Sequence, residues 1–333
     1  MPSPFSPLDR RELLALSTAF GSSILAGSST VKADASKAAP PARKRYAMKK
    51  SINLWAFPYP DRMNLEQCLR LAKDAGFDGI ELNYDLENDL SPKSGPKEYA
   101  AIRAMAEKVG IAISGLCSFL FWPYPLTSND PVKRSRGIEL ATKITEAAHV
   151  LGTENVLVVP GAVHIPWRTD HEPVPNDVCD KRAKEAVRKL LPVAEKLKVS
   201  LNIENIFFNG YLMTPGEMID FVDSFKSERL KVHFDTGNIM MYQFPEYWIT
   251  QLGGRIKNVH LKEFTKKGTD VSLEAFRPLL DGTTNWPAVL EAFDQTNYRG
   301  YLTFEYFHPY LHYPEALVYQ TADSLDRMLG LKG

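Results

Sequence analysis

Cysteine is scarce in this chain. Its three residues, Cys68, Cys117 and Cys179, form no CxxC pair and no metal-site spacing. That excludes a disulfide framework and a thiolate-bound metal, and reads the thiols as small buried apolar groups. Charge of one sign is also missing. Lys+Arg and Asp+Glu both number 40, so the formal net charge is zero. No global basic field exists to draw in nucleic acid or an anionic membrane surface, and neither is expected as a partner. No segment is long and apolar enough for stable membrane insertion. Neither GxGxxG nor GxxxxGK[ST] occurs, which removes the usual signatures of a nucleotide-binding open sheet.

The first residues differ in kind from the rest. Arg10-Arg11 precede an uncharged stretch from Leu13 to Val31 that is rich in Leu, Ala, Ser and Gly, and Ala33-Asp34-Ala35 follows. A basic pair, a modest apolar run and a small-residue site read as a bacterial export signal of the twin-arginine type over residues 1–35. The expected location is therefore the periplasm. Residues 36–47, with Ala, Pro, Lys and Arg, read as a linker.

From residue 48 to 333 one pattern recurs: a short β-rich run ends in polar or aromatic residues, and a helical stretch follows. The strand candidates are Ser51–Phe57, Gly79–Tyr84, Ala112–Phe119, Asn155–Pro160, Ser200–Asn205, Lys231–Thr236, Ile256–Glu263 and Tyr301–Phe307. Between them, apolar residues recur at helical spacing, as at Leu65, Cys68, Leu69 and Ala72, or Ile138, Ala141, Ile144 and Ala148. Ala75-Gly76, Val109-Gly110 and Leu151-Gly152 read as helix stops, and Thr214-Pro215-Gly216-Glu217 as a capped start. Strands alternating with helices in this way predict an α/β fold, a single (β/α)8 TIM barrel over 48–333.

Barrel enzymes keep their chemistry at the C-terminal ends of the strands. Four strand candidates end there in residues foreign to a plain core: Glu204, Asp235, His260 and Glu305. Alternate side chains of a strand face the same way, so all four can point inward at one level. Three carboxylates and an imidazole converging there repel one another unless a cation joins them. Oxygen-rich ligation with one His suits one divalent metal, Mn²⁺, Mg²⁺ or Co²⁺, with Zn²⁺ compatible. The same parity places Asn202, His233, Asn258 and Thr303 one layer below, where they can orient the ligands. Lys262, two residues beyond His260, and Asn238 are candidates for substrate contact. So are Trp55, Trp122, His164 and His308, which lie at or past strand ends.

In these residues the chain resembles the xylose-isomerase-like barrel superfamily of sugar isomerases and epimerases, which includes hydroxypyruvate isomerase, ketose 3-epimerases and ribulose-phosphate 3-epimerases. The most specific segments are Ala75-Gly76-Phe77-Asp78-Gly79-Ile80-Glu81-Leu82, Phe234-Asp235-Thr236-Gly237-Asn238, Val259-His260-Leu261-Lys262-Glu263, and the run from Gly282 through Trp286 to Glu305. The resemblance implies that Glu204, Asp235, His260 and Glu305 hold the metal and that Glu204 and Glu305 are the acid/base pair. It implies a sugar or keto-sugar substrate and proton transfer through an enediolate. Many ketose epimerases of this group carry His three residues after the ligand Asp, where this chain has Asn238. The Asp-x-Gly-Asn form is closer to the ribulose-phosphate branch. Two rival functions use the same barrel: a lyase or dehydratase eliminating across a keto-sugar or inosose, and a sugar-binding protein without turnover. Nothing in the sequence fixes an oligomeric state, and a homo-oligomer is compatible with it.

Overall fold

The structure is a computed structural model that describes residues 44–165, 167–267 and 272–332. The expected leader, residues 1–35, lies outside the described residues, as does the expected linker except for residues 44–47.

Eight parallel strands close a ring: β1 (Lys49–Asn53), β2 (Gly79–Asn83), β3 (Ala112–Cys117), β4 (Asn155–Val158), β5 (Ser200–Glu204), β6 (Leu230–Asp235), β7 (Ile256–Leu261) and β10 (Tyr301–Phe304). The spatial order β1-β10-β7-β6-β5-β4-β3-β2 follows the chain around the barrel, as expected. Two short strands, β8 (Glu263–Phe264) and β9 (Phe276–Arg277), form an antiparallel ribbon outside the ring. The helices are α1 (Leu65–Asp74), α2 (Pro96–Val109), α3 (Pro131–Leu151), α4 (Asn176–Leu197), α5 (Pro215–Asp223), α6 (Pro245–Leu252), α7 (Trp286–Gln295) and α8 (Pro314–Met328). β2 and β5 are buried at every position. That is the pattern of strands covered outside by helices and inside by the barrel's own side chains.

Local chemistry sets the helix ends. In α1 the Asn64 side chain accepts from the Gln67 backbone N–H, Gln67 reciprocates, and Leu65, Cys68, Leu69 and Ala72 make the buried face. In α5 Thr214 and Glu217 form the same reciprocal cap. Gly110 and Gly152 end α2 and α3 in the left-handed region, at φ 79° and 83°. No described helix is long and apolar enough to cross a membrane.

The strands stop earlier than their sequence pattern suggests. The run expected over Ile256–Glu263 ends at Leu261, because the backbone groups of Lys262 are taken by a side chain. Its N–H donates to Thr236 Oγ1 at 3.0 Å, and its carbonyl accepts from the same hydroxyl at 3.1 Å. The chain then turns out of the ring into the β8–β9 ribbon. Two register shifts shape the interior, between Ile80 and Glu81 on β2 against β3, and between Val232 and His233 on β6 against β7. The second brings Asp235 level with His260. Without it the outward-facing Val259 would stand there.

Candidate active site

At the C-terminal mouth the ring brings Glu204, Asp235, His260 and Glu305 together. One ligand atom from each lies within 4.8 Å of the others, and all four residues are buried. Glu204 and Asp235 are the last residues of β5 and β6, His260 is the penultimate residue of β7, and Glu305 directly follows β10. His260 Nδ1 is 3.6 Å from Glu204 Oε1 and 3.3 Å from Glu305 Oε1. It has no hydrogen-bond partner among the described residues.

The reason lies on the other side of the ring. His260 Nε2 donates to Glu81 Oε2 at 2.6 Å, and both side chains are fully buried. Burial works to lower His260, but without a cation Glu305 and Glu81 outweigh it and raise the imidazole well above its usual range. Once it gives up the Nδ1 proton, a ring still protonated at Nε2 presents its lone pair at Nδ1, toward the carboxylates. Glu81, on β2, is itself held by Asn53 Nδ2 at 2.7 Å and faces Asn258 Nδ2 at 3.4 Å. Four buried carboxylates, Glu81 included, therefore meet one imidazole and one ammonium. A lone pair and several carboxylate oxygens within 4.8 Å form a donor set that fits a divalent cation, whose charge offsets that excess.

Asp235 is aimed by its own backbone turn. Its Oδ1 accepts from the N–H groups of Gly237 (2.7 Å) and Asn238 (2.9 Å). Its backbone exchanges hydrogen bonds with the Asn205 side chain at 2.9 and 2.8 Å. Gly237 is required there, since a Cβ would lie 2.8 Å from the Lys262 carbonyl oxygen. Lys262 is buried and ion-paired to Asp235 Oδ2 at 2.9 Å and to Glu305 Oε2. Asn238 Oδ1 accepts from its Nζ at 3.2 Å, while Asn238 Nδ2 donates to the Asn205 carbonyl. Both residues line the cavity, and their contacts hold Asp235 and Glu305 in place.

These surroundings push the carboxylates apart. Burial raises Glu204 to about 7, with Glu305 and Asp235 adding to it and His260 opposing it. Burial also works to raise Glu305, but His260 and Lys262 outweigh it and hold that carboxyl at about 2. Burial raises Asp235, against the pull of Lys262. His233 is driven well below the usual imidazole range, first by burial and then by His260 and Lys262.

The layer expected beneath the ligands is present, with unequal contacts. His233 packs edge-on against His260 with ring centroids 4.1 Å apart, and neither of its nitrogens has a hydrogen-bond partner among the described residues. Asn258 reaches His260 through Glu81. Asn202 donates instead to Asn155 Oδ1 at 3.1 Å, one step further from the mouth, and Thr303 Oγ1 has no hydrogen-bond partner among the described residues. Of the aromatic and His candidates, Trp55, Trp122 and His308 line a cavity of about 330 Å³ above Glu204 and Glu305. His164 is exposed, 6.2 Å from the His171 ring, and is not part of that lining.

Sequence reasoning missed three features. Glu81 stands inside a family-like segment without any sign of its role, because a lone Glu within a strand carries no mark of its partner across the ring. Phe276 and Glu274 reach the cavity through the β8–β9 region, which no periodicity announced. Glu263 gathers the Trp286 indole N–H (2.6 Å), the Thr284 hydroxyl (2.6 Å) and the backbone N–H groups of Leu280 and Thr284 (both 3.2 Å). A Cβ on Gly282 would collide with this carboxylate. The signal was the run from Gly282 through Trp286, whose parts turn out to serve one anion.

Known proteins match along the same length. L-ribulose-5-phosphate 3-epimerase UlaE of Shigella flexneri is 23% identical over 259 residues, 77% of this chain and 86% of that protein. A solved L-ribulose 3-epimerase superposes with a TM-score of 0.70 at 18% identity, covering 85% of this chain and 94% of the other. The 3-keto-D-glucoside 4-epimerase YcjR from E. coli gives 0.66 at 17% identity, over 84% and 98%. At these identities the superpositions show a shared fold. The family model described as a xylose isomerase-like TIM barrel matches residues 69–328, and with the closed ring it shows that this chain belongs to that family.

Proposed function

We propose that this protein is a divalent-metal-dependent sugar epimerase or isomerase that moves a proton on a carbon next to a carbonyl. The observation that carries the reading is the pair Glu204 and Glu305. They approach His260 Nδ1 from β5 and β10, on either side of β6 and β7, with their carboxyls set apart at about 7 and about 2. Two carboxylates that face one point from opposite flanks can take a proton from one side and return it to the other. The names of the relatives support it, since each describes epimerisation of a carbonyl-bearing sugar.

Glu204, Asp235, His260 and Glu305 would hold the metal. It would supply Lewis acidity toward a carbonyl, making the neighbouring C–H more acidic. The chain's own residues do the rest. Glu305, ionised beside Lys262 and His260, takes the proton. Glu204, facing the same point from the other flank, returns one. In the reverse direction the roles exchange. Glu81 keeps the His260 ring in one orientation, and Lys262 keeps Glu305 and Asp235 charged.

Deuterium uptake tests this. Protein loaded with Mn²⁺ and incubated in D₂O with ketoses and keto-glycosides should place deuterium at a carbon next to the carbonyl. Glu305→Gln should abolish the uptake, while Glu204→Gln should still exchange but yield no epimer. Each variant should lose at least ~10²-fold in turnover. Near wild-type turnover in both, at saturating metal, would refute the assignment.

A further inference from the structure

We infer that the substrate is an unphosphorylated sugar carrying a second ring, a keto-sugar glycoside, and that Trp122 and Trp167 form the platform for that second ring. This deepens the proposed function and rests on it. The cavity is walled by aromatic side chains in two groups. Trp55, Phe119 and Phe307 form one, with ring centroids 4.2, 5.2 and 5.5 Å apart. Phe307 is also 5.0 Å from Lys262 Nζ, so this group flanks the reacting carboxylates. Trp122 and Trp167 form the other, edge to face at 5.0 Å, on the loops after β3 and β4. Each wall offers a π-face to the apolar face of one ring. A monosaccharide held at Glu204 and Glu305 needs only the first.

The charges lining the same cavity decide against phosphate. Among its described lining residues there is no arginine, and Lys262 is the one lysine. That ammonium is buried and already committed to Asp235 and Glu305. The other formal charges of the lining are Glu204, Glu274 and Glu305. A dianionic phosphate there would face carboxylates without a free cation. Residues 166 and 268–271 read Pro and Gly-Thr-Asp-Val and bring no cationic side chain either. Outside the lining, Arg277 donates to the backbone carbonyls of Glu274 and Phe276. Arg168 holds Asp170 at 2.9 and 2.7 Å, and Lys133 lies 3.7 Å from the same carboxylate.

The test is binding, measured by ligand-observed NMR on the full chain with Mn²⁺ and again with EDTA. The probes are phenyl α- and β-glycosides of glucose, galactose, mannose and xylose, the four free sugars, and the hexose 6-phosphates with xylulose 5-phosphate. At least one phenyl glycoside should bind tenfold or more tightly than its free sugar. Trp122→Ala and Trp167→Ala, both at partly exposed positions, should each remove that advantage. No phosphate should bind more tightly than its parent sugar. The inference is overturned by a sugar phosphate that outbinds both its parent and the glycosides, by glycosides no tighter than free sugars, or by an advantage that survives both substitutions. Deuterium exchange next to the carbonyl does not depend on a second ring. A failure here with exchange intact therefore removes the substrate class and leaves the proton chemistry standing.

Discussion

At the scale of single residues, the site turns on Glu81 and His260. Glu81 decides which nitrogen of the imidazole carries the proton, and so which one faces the carboxylates. A carboxylate behind a ligating His raises the basicity of that His and fixes the ring. Glu81→Ala should therefore weaken Mn²⁺ binding by about 10–100-fold, the range for such outer partners. Glu81→Gln, which keeps an acceptor without the charge, should fall between wild type and Glu81→Ala. Titration calorimetry gives the order, and equal affinities in all three proteins would sink the role. Protons should compete with the metal at the same place. Without a cation Glu204 is raised to about 7 by burial, so it is largely protonated below that pH and must lose the proton to ligate. His260, raised well above the usual imidazole range, must also lose a proton to ligate, so Mn²⁺ affinity should fall as pH drops through 7 to 6, with proton release on binding. Affinity independent of pH between 6 and 8 would contradict it. That Glu204, Asp235, His260 and Glu305 converge was legible from the sequence because each sits at or just past a strand end, where alternation places it inward. Glu81 was not, because its meaning lies in a contact across the ring, 179 positions from its partner.

At the scale of elements, the eight barrel strands were read in the right places and mostly too long at their C-terminal ends. Phe57, Phe119 and Phe307 extended the apparent β pattern past Asn53, Cys117 and Phe304, yet Phe119 and Phe307 line the mouth and Phe57 is buried in the core instead of continuing a ladder. Periodicity measures which residues are apolar and extended; it does not see where hydrogen bonding stops. The register shift between β6 and β7 was equally invisible, and the inward parity survived because it was counted within each strand near its end, beyond the shift. The loop after β9 shows how one buried anion organises an element. Glu263 is reached by the Trp286 indole, the Thr284 hydroxyl and three backbone N–H groups, those of Phe264, Leu280 and Thr284. Trp286→Phe keeps the ring and removes the indole donor at 2.6 Å. Leaving a buried charged acceptor short of a donor costs about 1–3 kcal/mol. Urea unfolding should show a loss of that size with an unchanged denaturant slope. A loss below about 0.5 kcal/mol would mean that the anchor is redundant.

At the scale of the whole molecule, the folded unit and its first residues obey different constraints. The three cysteines are free and buried, so the barrel closes without any oxidative step. Its interior is polar for a core, with Asn53, Glu81, Asn202, His233 and Asn258 all inside the ring. Such a core must be assembled with its ligands in register before the site exists. A route that carries folded proteins suits a chain of this kind, and Arg10-Arg11 with Ala33-Asp34-Ala35 read as the address for it. Removing residues 1–35 takes away three basic and three acidic side chains, so the charge of the remainder stays balanced. We propose that the barrel folds and takes up its metal in the cytoplasm and is then exported and trimmed near Ser36. Cell fractionation with intact-mass measurement should find the trimmed form in the periplasm. Replacing both Arg10 and Arg11 with Lys should leave the untrimmed chain in the cytoplasm, folded and with its metal content unchanged, because neither arginine belongs to the barrel. Two results would reject the proposal: an unchanged location with residues 1–35 still attached, or periplasmic trimming that persists in the double lysine variant.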